Sequence, residues 1–397
     1  MNHHKYAIVG GGMAAHAAVQ GIRKVDSAGT IVVFGAEPDG PYRRPPLSKG
    51  LWSGDALDSI WYNTKELAEL QLGQSIARLL PDKHAVVDAS GVEHTYDKLL
   101  LAPGARPRNL PFGGDAINYY RTVGDYRRLR DDVDQYQDFA LIGGGFIGSE
   151  VAAALAMNGR NVTMIFPDAG ISSRVLPTDL SSYVGTYFEA KGVKVLAGWS
   201  VTDVQRKDDR YLVKASYKEE ARDILVDRVV AGIGVVPNVE LATEAGIQVD
   251  NGIVVDEYLR TTAPDVFAAG DIAAFTNPTL GNRMRVEHED NAKTMGRVAG
   301  QNMAGESIKY DHLPFFYSDL FDLGYEAVGE LDSRMETFID WQEPYKKGVV
   351  YYLRDGRVRG VLLWNVWKQV PAARKLIAEP GPFRAEDLRG RLQEEAK

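Results

Sequence analysis

The sequence has no cysteine in 397 residues. That absence excludes disulfide scaffolds, thiolate nucleophiles, CxxC redox pairs, iron–sulfur clusters and cysteine-based zinc sites. Any redox chemistry must belong to a bound cofactor. Histidine is scarce at seven, with His3 and His4 at the extreme N-terminus and no metal-ligand pair in the body, so no metal is expected. No run approaches the ~20 apolar residues of a membrane span. A basic surplus is also missing. The 46 Lys and Arg against 54 Asp and Glu give a net charge of −8 with no charged tail, which argues against nucleic acid as a partner. The first strand pattern, residues 6–9, begins almost at the initiator and leaves no room for a signal or transit peptide. A cytoplasmic protein of two or three domains, at ~150 residues each, is the expectation.

What is present is an internal repeat. YAIVGGGMAAHAA from Tyr6 and FALIGGGFIGSEVAAAL from Phe139 share one plan: a short apolar strand, glycines, then an alanine-rich helix. A second apolar strand follows each and closes on an acid, Glu37 in the first and Asp168 in the second.

The first repeat reads Gly10-x-Gly12-x-x-Ala15, with Met13 and Ala14 between the last two positions. The first glycine permits the tight turn, and the second lets backbone approach a pyrophosphate. The small third residue lets helix and strand pack, and the helix N-terminus favours phosphate charge. Gly143-Gly144-Gly145-x-x-Gly148, enclosing Phe146 and Ile147, is the full version. An acid at 168 accepts hydrogen bonds from a ribose 2′-hydroxyl and repels a 2′-phosphate, which argues for NAD over NADP. Arg174 nearby softens that preference. Two units need two nucleotides, and the simplest pairing is FAD on the first and a nicotinamide on the second.

Residues 261–271, TTAPDVFAAGD, resemble the second FAD signature of two-dinucleotide flavoproteins, with Asp271 holding the ribityl chain near the pyrophosphate. YDKLLLAPG at 96–104 matches the crossover between domains of that family, with proline in place of the usual threonine. Further strands are expected at 98–102, 228–233, 252–255 and 266–269, and a helix over 286–303. From Phe315 aromatics become dense and strands alternate, with Asp355-Gly356 as a hairpin turn. The tail after Pro380 is polar, either helical or frayed. The fold class is therefore α/β: two Rossmann-like dinucleotide-binding domains plus a C-terminal α+β domain. The expected boundaries are 1–114 with 243–312 for FAD, 115–242 for NAD, and 313–397 for the C-terminal domain.

PYRRPPLSK at 41–49 is more specific than any glycine loop. It resembles the flavin-facing segment of ferredoxin reductases and of apoptosis-inducing factor. GGGFIGSE, FPDAG, VEH (286–288), YSDLFDLGYEAVGE and KGVVYYLRDGRVRGVLLWN favour the latter, and the similarity runs over residues 7–377. The chain resembles a prokaryotic-type relative of apoptosis-inducing factor within the ferredoxin-reductase-like, FAD/NAD-linked (pyridine nucleotide-disulfide) oxidoreductases. The stretch 330–347 is short, so the regulatory insertion of the mitochondrial protein is missing, as are its presequence and anchor. Its death-effector role is not carried over.

The resemblance implies that Arg44 and Lys49 lie along FAD, with Lys49 at the reactive edge of the ring and Glu150 as its partner. Phe146 sits where an aromatic gate covers the flavin face. Arg121, Asp271, His288 and Glu289 are implied FAD contacts, and Ile76 offers backbone to the adenine. Positions implied to meet NAD are Gly145, Phe146, Ile147, Asp168 and Arg174, then Gly234, Glu287, Glu326 and Asn365. Tyr317 stands where the mitochondrial protein has a stacking tryptophan. Independently of the family, hydride transfer needs close stacking and no acid catalyst. It leaves negative charge on the ring, which a lysine stabilises, and a glutamate keeps the lysine charged.

The expected activity is an FAD-dependent NADH:acceptor oxidoreductase. The acceptor is a quinone, oxygen or a small redox protein. One alternative is the ferredoxin or rubredoxin reductase of an electron-transfer chain, and another is an NADH-sensing switch with slow turnover. The resemblance also implies an NADH-dependent homodimer, near Arg260, Arg283 and Arg285 with Glu257, Glu287 and Glu289. A net-basic stretch over 343–375 reads as a solvated face, or as a docking patch for an acidic electron carrier or a non-specific nucleic-acid contact.

Overall fold

A parallel strand covered on both faces needs apolar side chains throughout. Residues 6–9, 31–34 and 99–101 supply them and are buried. The computed structural model describes residues 2–393. It divides into two units. One gathers Met1–Arg44, Leu57–Arg106 and Val236–Phe316; the other gathers Pro45–Ala56, Pro107–Val235 and Tyr317–Lys397.

In the first unit, Asn2–Val9 is central in a seven-stranded sheet. Ile31–Gly35 pairs with it in parallel on one side (Tyr6 opposite Ile31), and Glu93–Leu101 on the other (Tyr6 opposite Lys98). Glu69–Leu72 and Val266–Ala268 extend these flanks, also in parallel. The long strand Glu93–Leu101 continues into an antiparallel ribbon with Ala85–Asp88 and Ile76–Leu80. The first strand starts at Asn2 rather than Tyr6, because residues 2–4 pair with 94–96 and draw His4 into the sheet.

The helix Met13–Val25 packs on the helix Glu289–Met303 at glycine distance. A methyl group on Gly296 would fall 2.3 Å from the Ala14 carbonyl oxygen, and one on Gly300 would fall 2.1 Å from that of Ala18. Gly21 approaches the Arg297 carbonyl just as closely. The expected helix start at 286 is corrected to Glu289. His288 is extended (φ −119°, ψ 149°), and Asn291 Nδ2 donates to the Val286 carbonyl at 3.0 Å.

The second unit repeats the plan. Its parallel sheet runs Lys194–Ala197, Asn161–Phe166, Asp138–Ile142, Arg228–Ala231, Ile117–Tyr119. An antiparallel ribbon of Ser200–Lys207, Arg210–Tyr217 and Glu220–Val226 comes before Arg228–Ala231, as the first unit's ribbon strands come before Glu93–Leu101. A five-stranded antiparallel sheet follows, ordered Phe315–Leu320, Leu323–Gly329, Arg357–Trp364, Lys347–Arg354, Glu336–Glu343. At its hairpin Asp355 (φ 52°) and Gly356 (φ 70°) are both left-handed, as a two-residue turn with native twist requires. The helix Val370–Ala378 packs on this sheet, and the polar tail forms one short helix, Ala385–Leu388. Residues 394–397 of that tail lie outside the described residues. Among the described residues, no helix is long and apolar enough to cross a membrane, and no group of three or more His, Asp or Glu could hold a metal ion.

Candidate functional site

Both glycine turns have the same construction. Gly10 adopts φ 116°, and a methyl there would fall 2.1 Å from the Ala102 carbonyl oxygen. Gly143 adopts φ 119° and faces the Gly232 carbonyl oxygen at 2.3 Å in the same way. Only glycine fits either place. Gly12 and Gly145 cap the helices Met13–Val25 and Phe146–Met157, with no side-chain cap and no acid in the first turn. No atom lies within 4 Å of a methyl built on either residue. Uncapped helix N-termini beside open space fit a pyrophosphate in each unit. The third position differs. Ala15 is accommodated and fully buried, whereas a methyl on Gly148 would strike the Gly143 carbonyl oxygen at 2.3 Å. Gly144 packs against the Phe166 ring.

The two acids are held differently. Glu37 accepts from the Tyr42 hydroxyl at 2.7 Å and pairs with Arg44, whose Nη1 also donates to the Tyr42 hydroxyl at 3.0 Å. Asp271 acts on the same guanidinium. The Asp168 carboxylate meets Arg174 Nε at 3.1 Å, and that arginine side chain is 81% exposed.

In the first unit Asp271 lies in the 3-10 turn Gly270–Ile272, directly after the strand Val266–Ala268. The Gly270 N–H beneath it donates to Met295 Sδ at 3.4 Å. His288 stacks on Phe316 with centroids 4.3 Å apart. Burial pushes its pKa down to about 4, against the opposing pull of Asp271 and Asp290. Arg285 turns inward, donating from Nη1 to the Asp271 carbonyl at 2.9 Å and pairing with Glu287 at 2.5 Å. Glu289 pairs with Lys293 at 3.5 Å and Arg43 at 3.9 Å. Ile76 opens its strand opposite Asp88.

In the second unit, Lys49 Nζ contacts Glu150 Oε1 at 2.6 Å, with Glu150 3% exposed. Ser48 Oγ donates to Oε2 and Ser318 Oγ to Oε1, each at 2.6 Å. The Tyr317 ring centroid is 5.1 Å from Lys49 Nζ. The Lys49 segment is anchored by Trp52 Nε1, which donates to the Leu47 carbonyl at 2.7 Å, and by Tyr120, whose hydroxyl donates to the same oxygen. Phe146 and Ile147 open the helix that carries Glu150, and Ile147 is 40% exposed. Gly234 is left-handed (φ 94°) with open space around it. Glu326 has one buried carboxylate oxygen without a partner, and burial raises its pKa. The Asn365 side chain is committed to backbone, accepting from Gly324 N and donating to the Lys346 carbonyl, both at 2.8 Å. Arg121 donates its N–H to Asp125 Oδ2 at 3.0 Å.

Glu37, Arg44, Asp271 and His288 thus gather in the first unit, and Lys49, Glu150 and Tyr317 in the second. Arg121 and Tyr317 group with the second unit, although the resemblance links Arg121 to FAD. Sequence reasoning missed Tyr42, Ser48, Ser318 and Met295. Ser48 and Ser318 adjoin Lys49 and Tyr317, Tyr42 lies two residues before Arg44, and nothing in the sequence marks Met295. The basic C-terminal stretch is partly neutralised, since Arg354 (2.9 Å) and Arg359 (3.2 Å) converge on Glu330, which lies outside residues 343–375.

Residues 4–296 match the family model described as pyridine nucleotide-disulphide oxidoreductase. The chain belongs to that family. Residues 299–343 and 339–379 match the model of the C-terminal region of mitochondrion-associated apoptosis-inducing factor. The chain is 33% identical to apoptosis-inducing factor 1, mitochondrial, of Dictyostelium discoideum, over 94% of this chain and 78% of that one. It is 36% identical to the ferredoxin–NAD(+) reductase component of the anthranilate 1,2-dioxygenase system of Burkholderia cepacia, over 94% of both. Among solved structures, the covalent putidaredoxin reductase–putidaredoxin complex superposes with TM-score 0.89 at 29% identity, covering 96% of this chain and 95% of that chain. This family member is an oxidoreductase that uses FAD and NAD(H), and without cysteine it works with no redox-active disulfide.

Proposed function

We propose that the chain is the NADH-dependent reductase of a small ferredoxin-type electron carrier. The observation that carries this reading is full-length similarity to a ferredoxin–NAD(+) reductase component in a chain without cysteine. No disulfide can take the electrons on, so they must leave from the cofactor itself.

When bound, FAD accepts a hydride from NADH and releases the electrons singly or as a pair. In this reading the first unit holds FAD. The N-terminus of the helix Met13–Val25 faces its pyrophosphate, and Glu37 and Asp271 face its hydroxyls. The second unit holds NADH, with its phosphates at Gly145 and its ribose at Asp168. Lys49, kept charged by Glu150, supplies positive charge where negative charge develops. Phe146 and Tyr317 are the aromatic surfaces offered to the rings. His288, neutral by burial, packs beside Asp271 without serving as a proton donor. A cytoplasmic location belongs to the same proposal.

Stopped-flow reoxidation of the NADH-reduced protein against oxygen, quinones and ferredoxins tests it. Ferredoxin is expected to reoxidise the protein fastest, and NADH-driven cytochrome c reduction should depend on added ferredoxin. Quinone or oxygen outpacing every ferredoxin sinks the reading.

A second reading is an NADH-dependent homodimer, favoured by the match of residues 299–379 to the C-terminal region of apoptosis-inducing factor. Arg285 and Glu287 pair within the protomer, and Arg283 meets Asp250 at 3.3 Å, so a partner's charges would compete with these pairs. Sedimentation velocity with and without NADH, at low and high salt, tests it. An unchanged sedimentation coefficient in all four conditions removes the dimer.

A further inference from the structure

The Glu150 carboxylate receives donors from two other segments of its unit. Lys49 Nζ and Ser318 Oγ both reach Oε1, and Ser48 Oγ reaches Oε2. Ser48 is 6% exposed and Ser318 1%. A buried hydroxyl must find an acceptor, and a buried carboxylate must be met by donors. Here each need satisfies the other. Lys49 meets Oε1 at 2.6 Å, so the rotation of the carboxylate decides how the ammonium is held. A hydroxyl on each oxygen fixes that rotation. Ser48 precedes Lys49 in sequence and travels with it. Ser318 does not: it enters on the strand Phe315–Leu320 of the C-terminal sheet, and its neighbour Tyr317 lies over the same ammonium.

We propose that Ser318 is a positioning residue for hydride transfer. It holds Glu150 Oε1 on Lys49, so the C-terminal sheet sets the charge that the flavin meets. The inference rests on the reading that Lys49 and Glu150 serve the flavin.

The test uses the FAD-loaded protein and the variants S318A, S318T, E150Q and the double variant S318A/E150Q. Stopped-flow mixing with NADH gives the limiting rate constant of flavin reduction and the NADH dissociation constant. Dye equilibration gives the flavin midpoint potential, a readout independent of turnover. S318A should lower the limiting rate about tenfold, the effect of one hydrogen bond to a charged group. It should leave the NADH dissociation constant and the FAD content unchanged and move the potential to more negative values. S318T, which keeps the hydroxyl, should restore both. In the E150Q background, S318A should add less than about twofold, because the charge it positions is gone.

A wild-type rate and potential in S318A overturn the inference. Loss of FAD from S318A also overturns it, because the role is then structural. If E150Q itself leaves rate and potential unchanged, the Lys49–Glu150 reading fails instead.

Discussion

Glu37 and Asp168 stand at the same place in two copies of one plan, yet their surroundings differ. Glu37 is bound by Tyr42 and Arg44, both from its own unit. Asp168 has one exposed arginine. A network closed within the unit persists whether or not a ligand is present, whereas an exposed pair rearranges on binding. The first arrangement suits a resident dinucleotide and the second an exchanging one. The strands differ too. In the first unit one continuous strand, Glu93–Leu101, serves both ribbon and parallel sheet. In the second, Asp227 separates the ribbon strand Glu220–Val226 from Arg228–Ala231, and its carboxylate accepts the Gln137 and Asp138 N–H groups at 3.1 and 2.8 Å. A repeat can thus keep its turn geometry while its third and fourth strands are joined in either way.

The hardest blow to the comparison is a methyl at the first glycine. Gly10→Ala and Gly143→Ala each force a left-handed alanine into a carbonyl, at about 3 kcal/mol or more. Gly10→Ala should yield colourless protein, and Gly143→Ala should stay yellow and lose NADH binding. Absorbance at the flavin band and NADH titration decide it. The third position sharpens the contrast: Gly148→Ala should behave like Gly143→Ala, whereas Ala15→Gly should cost only about 1 kcal/mol of helix propensity.

Next comes Lys49→Ala. It leaves Glu150 buried without its cation, at about 3 kcal/mol if the pair stays dry. Flavin reduction by NADH should slow far more than after any surface lysine change. Lys49→Ala combined with Glu150→Gln should recover part of the loss, and simple additivity of the two would show that they are uncoupled.

His288 gives a smaller effect, confined to the first unit. Its native pKa is about 4, below the ordinary 6.5. The unfolded chain therefore binds a proton first as pH falls. The stabilising contribution is complete above about pH 6.5 and is lost toward pH 4, by about 2 kcal/mol. Denaturant melts between those pH values should show a slope that His288→Gln flattens.

Smallest is coenzyme choice. Asp168 should favour NADH over NADPH by about tenfold in the specificity constant for flavin reduction, and Asp168→Ala should narrow that gap. Equal specificity constants in the native protein would mean that Arg174 governs the site.

Much of this was legible in the sequence because local rules decide it. Gly10, Gly143 and the Asp355-Gly356 turn are fixed by backbone sterics, and residues 6–9 and 139–142 by burial on both faces. The start of the helix at Glu289 was not legible. Val286 continues the apolar pattern, and the extended backbone of His288 with the local bond from Asn291 to the Val286 carbonyl is what delays the helix. Ser318 was invisible for a related reason. Its partner lies 168 positions away, and a serine in a strand carries no mark of the acceptor it meets. Asn365 is the opposite case: the resemblance alone implies a ligand contact there, and its side chain also bonds the Gly324 N–H and the Lys346 carbonyl.

The glycine crossing of Met13–Val25 on Glu289–Met303 bears on how the first unit opens. With backbone against backbone at Ala14, Ala18 and Gly21, neither helix can shed its partner by a side-chain rearrangement. Their central amides should therefore exchange with solvent deuterium as one cooperative block, with a single protection free energy. Fraying that begins at Val25 or Met303 should stop at Gly21 and Gly300, so a deuterium pulse would label each helix inward from its end only as far as these glycines.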